Sequence, residues 1–470
     1  MQTYPIYAAG EFVTTKQELA VKNPHDGNMI ARTWLADQQL LEKCIVAAQA
    51  VQTELREMPA HKRFSILRTI SDRISENRQH LATVLCRESG KPMRYAFGEI
   101  DRAAQTFLVA AEETKRLPKE YLSLDWTPAG EKKEGLVKYF PVGLVAGIAP
   151  FNFPMNLAVH KIAPAIAAGC PIILKPASST PLSTLELARI IDQTDLPKGA
   201  VSILPMSRVA GNQLVTDERF SLLSFTGSPE VGWEMKNNAG KKKVVLELGG
   251  NAGVIVAPSA DIDHAIKQCL VGGFAYSGQV CIHAQRIFVH KSIFEKFTTQ
   301  FTKLVSGLKA GNPEDSATDI GVMIDEDNAK RVEAWVNEAV AAGAKVLCGG
   351  KREQNFYLPT VLTHTTATMK VCSEEIFGPV VTLESYDNFS EAVAMINDTR
   401  FGLQAGVFTN DAREIDFSFN NIQTGGIIIN DVPTFRVDHM PYGGIKDSGM
   451  GREGVKYAIY DMLEARILVK

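Results

Sequence analysis

The sequence has no block of like charge, no long apolar run and no paired cysteines, and each absence removes a class of function. Its 50 basic and 53 acidic residues are interspersed and leave a formal net charge of -3. The run Lys241 to Lys243 is too short to make a nucleic-acid footprint, so nucleic acid is not expected as a partner. No apolar stretch reaches the length of a membrane span. The opening residues MQTYPIYAAGEFV lack a basic region followed by an apolar stretch and a small-residue cleavage site, so the expectation is a cytoplasmic protein with no membrane partner. Seven cysteines (Cys44, Cys86, Cys170, Cys269, Cys281, Cys348 and Cys372) contain no Cys-x-x-Cys pair and no regular spacing. That argues against a disulfide framework and a zinc site, suits a reducing compartment, and gives no reason to expect a metal. Also missing is the Gly-x-Gly-x-x-Gly fingerprint: the nearest match, GSPEVG from Gly227 to Gly232, has the wrong spacing.

What is present is a chain of 470 residues with 45% hydrophobic and 22% charged residues, enough to bury a large core in two or three domains. Residues 1 to about 35 read as short strands and turns forming an edge hairpin, with PHDG (24–27) as the clearest turn. From about Ala36 the apolar spacing becomes helical, predicting two or three helices to about Lys115. Residues 116–140 break this pattern with Pro118, TPAG and the strand-like GLVKYF, and predict a projecting hairpin that a partner subunit covers. Strands and helices then alternate from 141 to 250, which predicts a doubly wound parallel sheet. A second α/β segment follows residue 281, and ARILVK (465–470) reads as a final strand.

The candidate nucleophile is Cys281, closing the stretch FAYSGQVC (274–281), where Gly278 and Gln279 suit a turn that exposes a sulfur. A cysteine attacks as its thiolate and needs a positive dipole to lower its pKa; the competing reading is an inert core thiol. Asn152 lies between Phe151 and Phe153, where its amide can donate to a developing oxyanion or bond local backbone. Lys175 ends the strand-like PIILKP, and the carboxyl ends of such strands face the ligand crevice in open α/β sheets. A helix starting at Ser228 offers free N–H groups to a phosphate. Glu247, in the apolar LELGG, is a carboxylate whose burial would raise its pKa, as a general base near neutral pH requires, or which backbone N–H groups hold.

Seven motifs, PFNFP (150–154), KPAS (175–178), FTGS (225–228), ELGG (247–250), FAYSGQVC (274–281), EEIFGP (374–379) and PYGGIKDSG (441–449), stand in one order along nearly the whole chain. In that order they resemble the aldehyde dehydrogenase superfamily. The resemblance implies a doubly wound cofactor domain (1–115 and 141–246), an α/β catalytic domain (247–445) and β oligomerisation segments (116–140 and 446–470) of a homodimer or homotetramer. It implies an NAD(P)-dependent oxidation of an aldehyde to its acid, with Cys281 as nucleophile, Glu247 as general base, and Asn152 with the Cys281 N–H as oxyanion hole. It further implies that Lys175 and Ser178 meet the adenosine ribose, that Gly227 and Ser228 approach the pyrophosphate, and that Glu375 and Phe377 orient the nicotinamide ribose. Ile148, Pro150, Gly211 and Val231 would complete the cofactor groove.

Two departures from the commonest family pattern stand out. Tyr276 replaces an Asn beside the nucleophile and is expected to alter packing. Ser178 replaces a Glu that would repel a 2′-phosphate, so NADP is expected to be accepted as well as NAD. Phe153, Leu157, Val280, Ile282 and Phe435 are expected to wall the aldehyde tunnel, with Arg436 and His439 at its mouth. An Arg there suits a carboxylate or phosphate, as in a semialdehyde, lactaldehyde or glyceraldehyde 3-phosphate, unless it pairs with Asp438 or another structural acid. The rival readings are a CoA-acylating enzyme, against which Glu247 argues, a non-catalytic member of the fold, and a thiol hydrolase using His283.

Overall fold

Five strands, Leu144–Ile148, Ile172–Lys175, Val201–Ile203, Phe220–Thr226 and Lys243–Glu247, run parallel in the computed structural model, which describes residues 2–470. Leu144–Ile148 lies between Ile172–Lys175 on one side and Phe220–Thr226 on the other, so the winding reverses there. A reversal of this kind opens a crevice outside the carboxyl ends of the two diverging strands. Those ends lead into Ala149–Pro150 and into Gly227–Ser228.

The expected edge hairpin is Ile6–Ala8 with Glu11–Val13, added antiparallel beside Val201–Ile203. Gln2–Thr3, Glu18–Lys22 and Met29–Trp34 form a separate three-stranded sheet. The expected two or three helices are five: Gln38–Ala50, Gln52–Glu57, Ala60–Glu76, Arg78–Ser89 and Met93–Glu113. The apolar period runs through their junctions unbroken, but Pro59, Asn77 and a left-handed Gly90 each stop the backbone ladder.

The second sheet has seven strands in the order Lys345–Cys348, Thr360–Thr363, Val380–Tyr386, Ala284–His290, Ala252–Val256, Gln404–Phe408 and Gly426–Ile429. All are parallel except Lys345–Cys348, which is antiparallel at the edge. The central strands are buried on both faces, and Ala252–Val256 accordingly reads as the continuous apolar run AGVIV.

Lys119–Ser123, Glu134–Pro141 and Leu463–Val469 make a third, antiparallel sheet. Tyr121, Leu122, Trp126, Ile467, Leu468 and Val469 are exposed on and around it. The tail from 446, expected as a single segment, divides. Gly449–Met450 pairs with Lys243–Glu247 at the edge of the first sheet, helix Val455–Asp461 packs on Pro154–Ala168 and Met93–Glu113, and only Leu463–Val469 joins the projecting sheet. Alternation of apolar residues does not show which sheet a short strand joins. Among the described residues no helix is long and apolar enough to cross a membrane.

Candidate active site

A cavity of about 670 Å³ opens at the winding reversal and runs between the two large sheets. Its volume lies in the range of small-molecule sites. Asn152, Leu157, Glu247 and Cys281 line it at one part, and Pro150, Gly227, Ser228, Glu375 and Phe377 along the rest. Sequence distance is no guide here: Pro150 and Phe377 come from opposite halves of the chain.

Cys281 follows helix Ile262–Phe274 through a turn in which Tyr276, Ser277 and Gly278 are all left-handed, with φ of 48°, 54° and 68°. Two of the three carry side chains, a conformation that costs about 1–3 kcal/mol per residue and persists only where its surroundings impose it. The surroundings do so by hydrogen bonds. The Ser277 hydroxyl donates to the Gly321 carbonyl at 2.7 Å, the Tyr276 hydroxyl to Ser89 O at 3.0 Å, and the Ile324 N–H to Gln279 Oε1 at 2.9 Å. At Gly278 a Cβ would stand 2.1 Å from the Gly378 carbonyl, so the turn accepts no larger residue there. The Asn152 amide donates to the Gln279 carbonyl at 3.0 Å, tying its loop to the same turn.

Burial pushes the Cys281 thiol up to about 11, and the Tyr442 hydroxyl, 3.3 Å from Sγ, opposes that rise. Tyr442 belongs to the PYGG motif, which therefore closes over the sulfur. Glu247 is buried, and neither of its carboxylate oxygens accepts a hydrogen bond from a described residue. Burial, reinforced by the negative charge of Glu453, raises its pKa well above the ordinary carboxylate value. Glu375 is held differently: its Oε1 accepts from the Gly250 N–H at 2.9 Å, and burial still raises it to about 8. At Gly249 a Cβ would sit 2.3 Å from Glu375 Oε2, so a larger residue there would push this carboxylate from its place. Phe377, itself left-handed at φ 43°, meets Phe151 edge to face at 5.9 Å.

The remaining expected cofactor residues lie farther along the groove or behind it. Ile148 is buried at its strand end, and Val231 is half-buried in the first turn of helix Pro229–Asn238. Lys175 lies along Gly211, where a Cβ would be 3.0 Å from its Cδ, and Ser178 is exposed. Burial alone lowers the Lys175 ammonium, with no acid beside it to oppose the shift.

Among the expected substrate residues, Phe153, Val280 and Ile282 pack with Tyr276, Leu403, Tyr442 and Cys281 in one apolar cluster. Phe435 and His439 are exposed. Arg436 is not a free cation at a mouth: its side chain is only 6% exposed and Nη2 donates to Glu453 Oε2 at 2.8 Å and to His160 Nδ1 at 3.1 Å. Nor is Asp438 its partner, since that carboxylate takes Arg102 at 2.7 Å and His160 Nε2 at 2.8 Å. Arg436 lies over the Tyr442 ring, 3.7 Å from its centroid, and its buried Nε has no partner among the described residues. His283 Nε2 donates to the Gly273 carbonyl at 2.8 Å and the ring is held down to about 4 by burial, which leaves it unsuited as a base for Cys281.

Sequence reasoning passed over Lys161, whose ammonium donates to Thr226 Oγ1 at 2.7 Å and lies 3.4 Å from Glu453. The signal was present: His160 and Lys161 interrupt a helix, Pro154–Ala168, that is otherwise small and apolar apart from Asn156, and all of it is buried. Charges in such a helix have to find partners.

The groove fits a dinucleotide on its own features. It has a winding-reversal crevice, a helix N-terminus at Ser228–Pro229, a carboxylate held at Gly250, and two aromatic rings along one wall. The family model described as "Aldehyde dehydrogenase family" matches residues 12–468. A 3-sulfolactaldehyde dehydrogenase of Priestia aryabhattai is 41% identical over 100% of this chain and 98% of its own. Aldehyde dehydrogenase 21 from Physcomitrella patens, solved with the reaction product succinate, is 45% identical with a TM-score of 0.99, covering 100% of this chain and 98% of that one. Glyceraldehyde-3-phosphate dehydrogenase GapN from Methanocaldococcus jannaschii, solved with NADP, is 36% identical with a TM-score of 0.93, covering 97% and 99%.

Proposed function

The chain belongs to the aldehyde dehydrogenase family and oxidises an aldehyde to its acid with NAD(P), and we propose that it does so through a thioester on Cys281 with a small anionic aldehyde as substrate. The observation that carries the chemistry is the meeting of Cys281, Asn152 and Glu247 at one part of a single cavity. The thiolate adds to the aldehyde carbon, and the Tyr442 hydroxyl at Sγ stabilises the anion that burial disfavours. The new oxyanion is met by the free hydrogen of the Asn152 amide and by the Cys281 N–H. Nicotinamide, when bound, would supply the hydride acceptor; collapse of the oxyanion gives up the hydride of the former aldehyde carbon and leaves the acyl group on sulfur. Glu247 then takes a proton from water, which attacks the thioester and releases the acid. Its raised pKa and unpaired oxygens suit that step.

Gly227 and Ser228 at the helix N-terminus would hold the pyrophosphate, Glu375 the nicotinamide ribose, and Lys175 with Ser178 the adenosine ribose. Because no acid stands beside Lys175 and residue 178 is a serine, a 2′-phosphate meets a cation and no repulsion, and NADP is accepted. Arg436 is neutralised by Glu453 and does not line the cavity, so a carboxylate, sulfonate or phosphate on the substrate is supported by the relatives and not by this side chain. The relatives named above fit this class, acting on sulfolactaldehyde or glyceraldehyde 3-phosphate or holding succinate as product. The projecting sheet, with Trp126 90% exposed, suits burial in a homodimer or homotetramer. We place the enzyme in the cytoplasm, with no role for metal or nucleic acid.

The test is absorbance of reduced nicotinamide over neutral, carboxylated, sulfonated and phosphorylated aldehydes, each with NAD and NADP, for wild type and Cys281→Ala. Turnover of anionic aldehydes above neutral ones, lost in the variant, supports the reading. Equal turnover of neutral and anionic aldehydes removes the substrate class, and activity in Cys281→Ala removes the mechanism.

A further inference from the structure

Lys91 is fully buried, an unusual place for an ammonium, and it does not line the cavity. It forms an ion pair with Glu99, whose Oε1 also accepts from the N–H groups of Met155 at 3.0 Å and Asn156 at 3.1 Å. The carboxylate thereby caps the helix that follows Asn152. The ammonium itself sits between two rings, 3.8 Å from the centroid of Phe153 and 4.4 Å from that of Tyr276. Those rings meet edge to face at 6.3 Å. Phe153 is the residue after Asn152, and Tyr276 is the first left-handed residue of the turn that presents Cys281. Two residues before Lys91, the Ser89 carbonyl accepts the Tyr276 hydroxyl, so the same segment grips that ring from a second side.

We propose that Lys91 is a positioning residue: its buried cation, held by Glu99, clamps Phe153 against Tyr276 and thereby sets the distance between the Asn152 donor and the Cys281 sulfur. The proposal rests on the roles given to Cys281 and Asn152 above. Cation–π attraction strengthens where the cation is stripped of water, as here. The strained turn supplies the need, since a left-handed run relaxes unless its surroundings hold it.

The experiment compares Lys91→Met with the wild-type chain. The expected kcat falls about tenfold or more, because sub-ångström displacement of an oxyanion donor is costly. KM for the nicotinamide cofactor stays within about twofold, and alkylation of Cys281 by iodoacetamide, which builds no oxyanion, stays within about threefold. A general loss of structure would raise KM for the cofactor and shift alkylation along with kcat, so a change in KM or in alkylation as large as that in kcat overturns the proposal, as does kcat within about twofold of wild type. Should Lys91→Met not fold, Phe153→Leu removes one ring without stranding a polar group, and the same split or its absence decides. Cys281→Ala, run alongside, separates the two readings. Turnover surviving there overturns the nucleophile assignment itself, whereas a dead Cys281→Ala beside an unimpaired Lys91→Met overturns only the clamp.

Discussion

The two ends of the groove are built on different principles. Around Cys281 most groups are tied to something far away in sequence, Asn152 to Gln279, Tyr276 to Ser89, Ser277 to Gly321 and Tyr442 to the sulfur, and Glu247 alone keeps its oxygens unpaired among those named. Around Lys175 and Ser178 the ties are few, Ser178 is exposed, and the ammonium bonds only its neighbour's carbonyl at 3.4 Å. The chemistry end must hold atoms to fractions of an ångström in a dry site, where unpaired groups are expensive. On the proposed assignment, the end at Lys175 has only to offer a charge to a solvated phosphate or hydroxyl. Substitutions should therefore be severe at the first and selective at the second.

The largest effect is expected for Cys281→Ala, which should lower kcat by about four or more orders of magnitude in a steady-state assay. Glu247→Gln should lower kcat by about 10²–10⁴ while leaving a first-turnover burst of reduced cofactor, since acylation precedes the step that needs a base. A lost burst would show that Glu247 acts before the thioester. On the proposed mechanism hydrolysis needs the Glu247 carboxylate, so the steady-state rate should rise with pH through a pKa displaced above the usual carboxylate value. Asn152→Ala should cost about 10²–10³ in kcat, or about 2.7–4 kcal/mol.

At the other end Ser178→Glu should lower kcat/KM for NADP by roughly tenfold or more while leaving NAD within about threefold, because the new charge faces only the 2′-phosphate. Equal losses with both cofactors would break the contrast between the two ends. The smallest effect concerns stability. A carboxylate whose folded pKa is raised binds its proton more tightly when folded, so its contribution is present at low pH and is lost as pH rises through the folded pKa. Glu247→Gln should accordingly melt later than wild type at alkaline pH, by about 1–2 °C, with the gap closing on acidification.

The projecting hairpin and the final strand were legible from the breaks at Pro118 and TPAG and from the strand-like GLVKYF and ARILVK, short-range signals that hold although Lys119–Ser123 is exposed along its whole length. The parallel sheet was legible from the alternation of buried apolar runs with helices. The helix count before Lys115 was not, because periodicity is blind to a one-residue break in the ladder. Arg436 shows the same limit at the site. Its charge could be read, but its burial against Glu453 and His160 joins residues 17 and 276 positions away.

By itself, then, the sequence determined which residues can do chemistry and in what local setting: a thiol after a glycine turn, a carboxylate at the end of an apolar strand, an amide between two phenylalanines. These are short-range facts, written in neighbouring residues. The tertiary structure decided the rest: which charges are paired, that Tyr442 covers the sulfur, and that Lys91 lies between two rings from opposite halves of the chain. Pairing of that kind depends on which elements pack together, and burial is what makes it matter, since a charge taken out of water must find its partner wherever the fold places one.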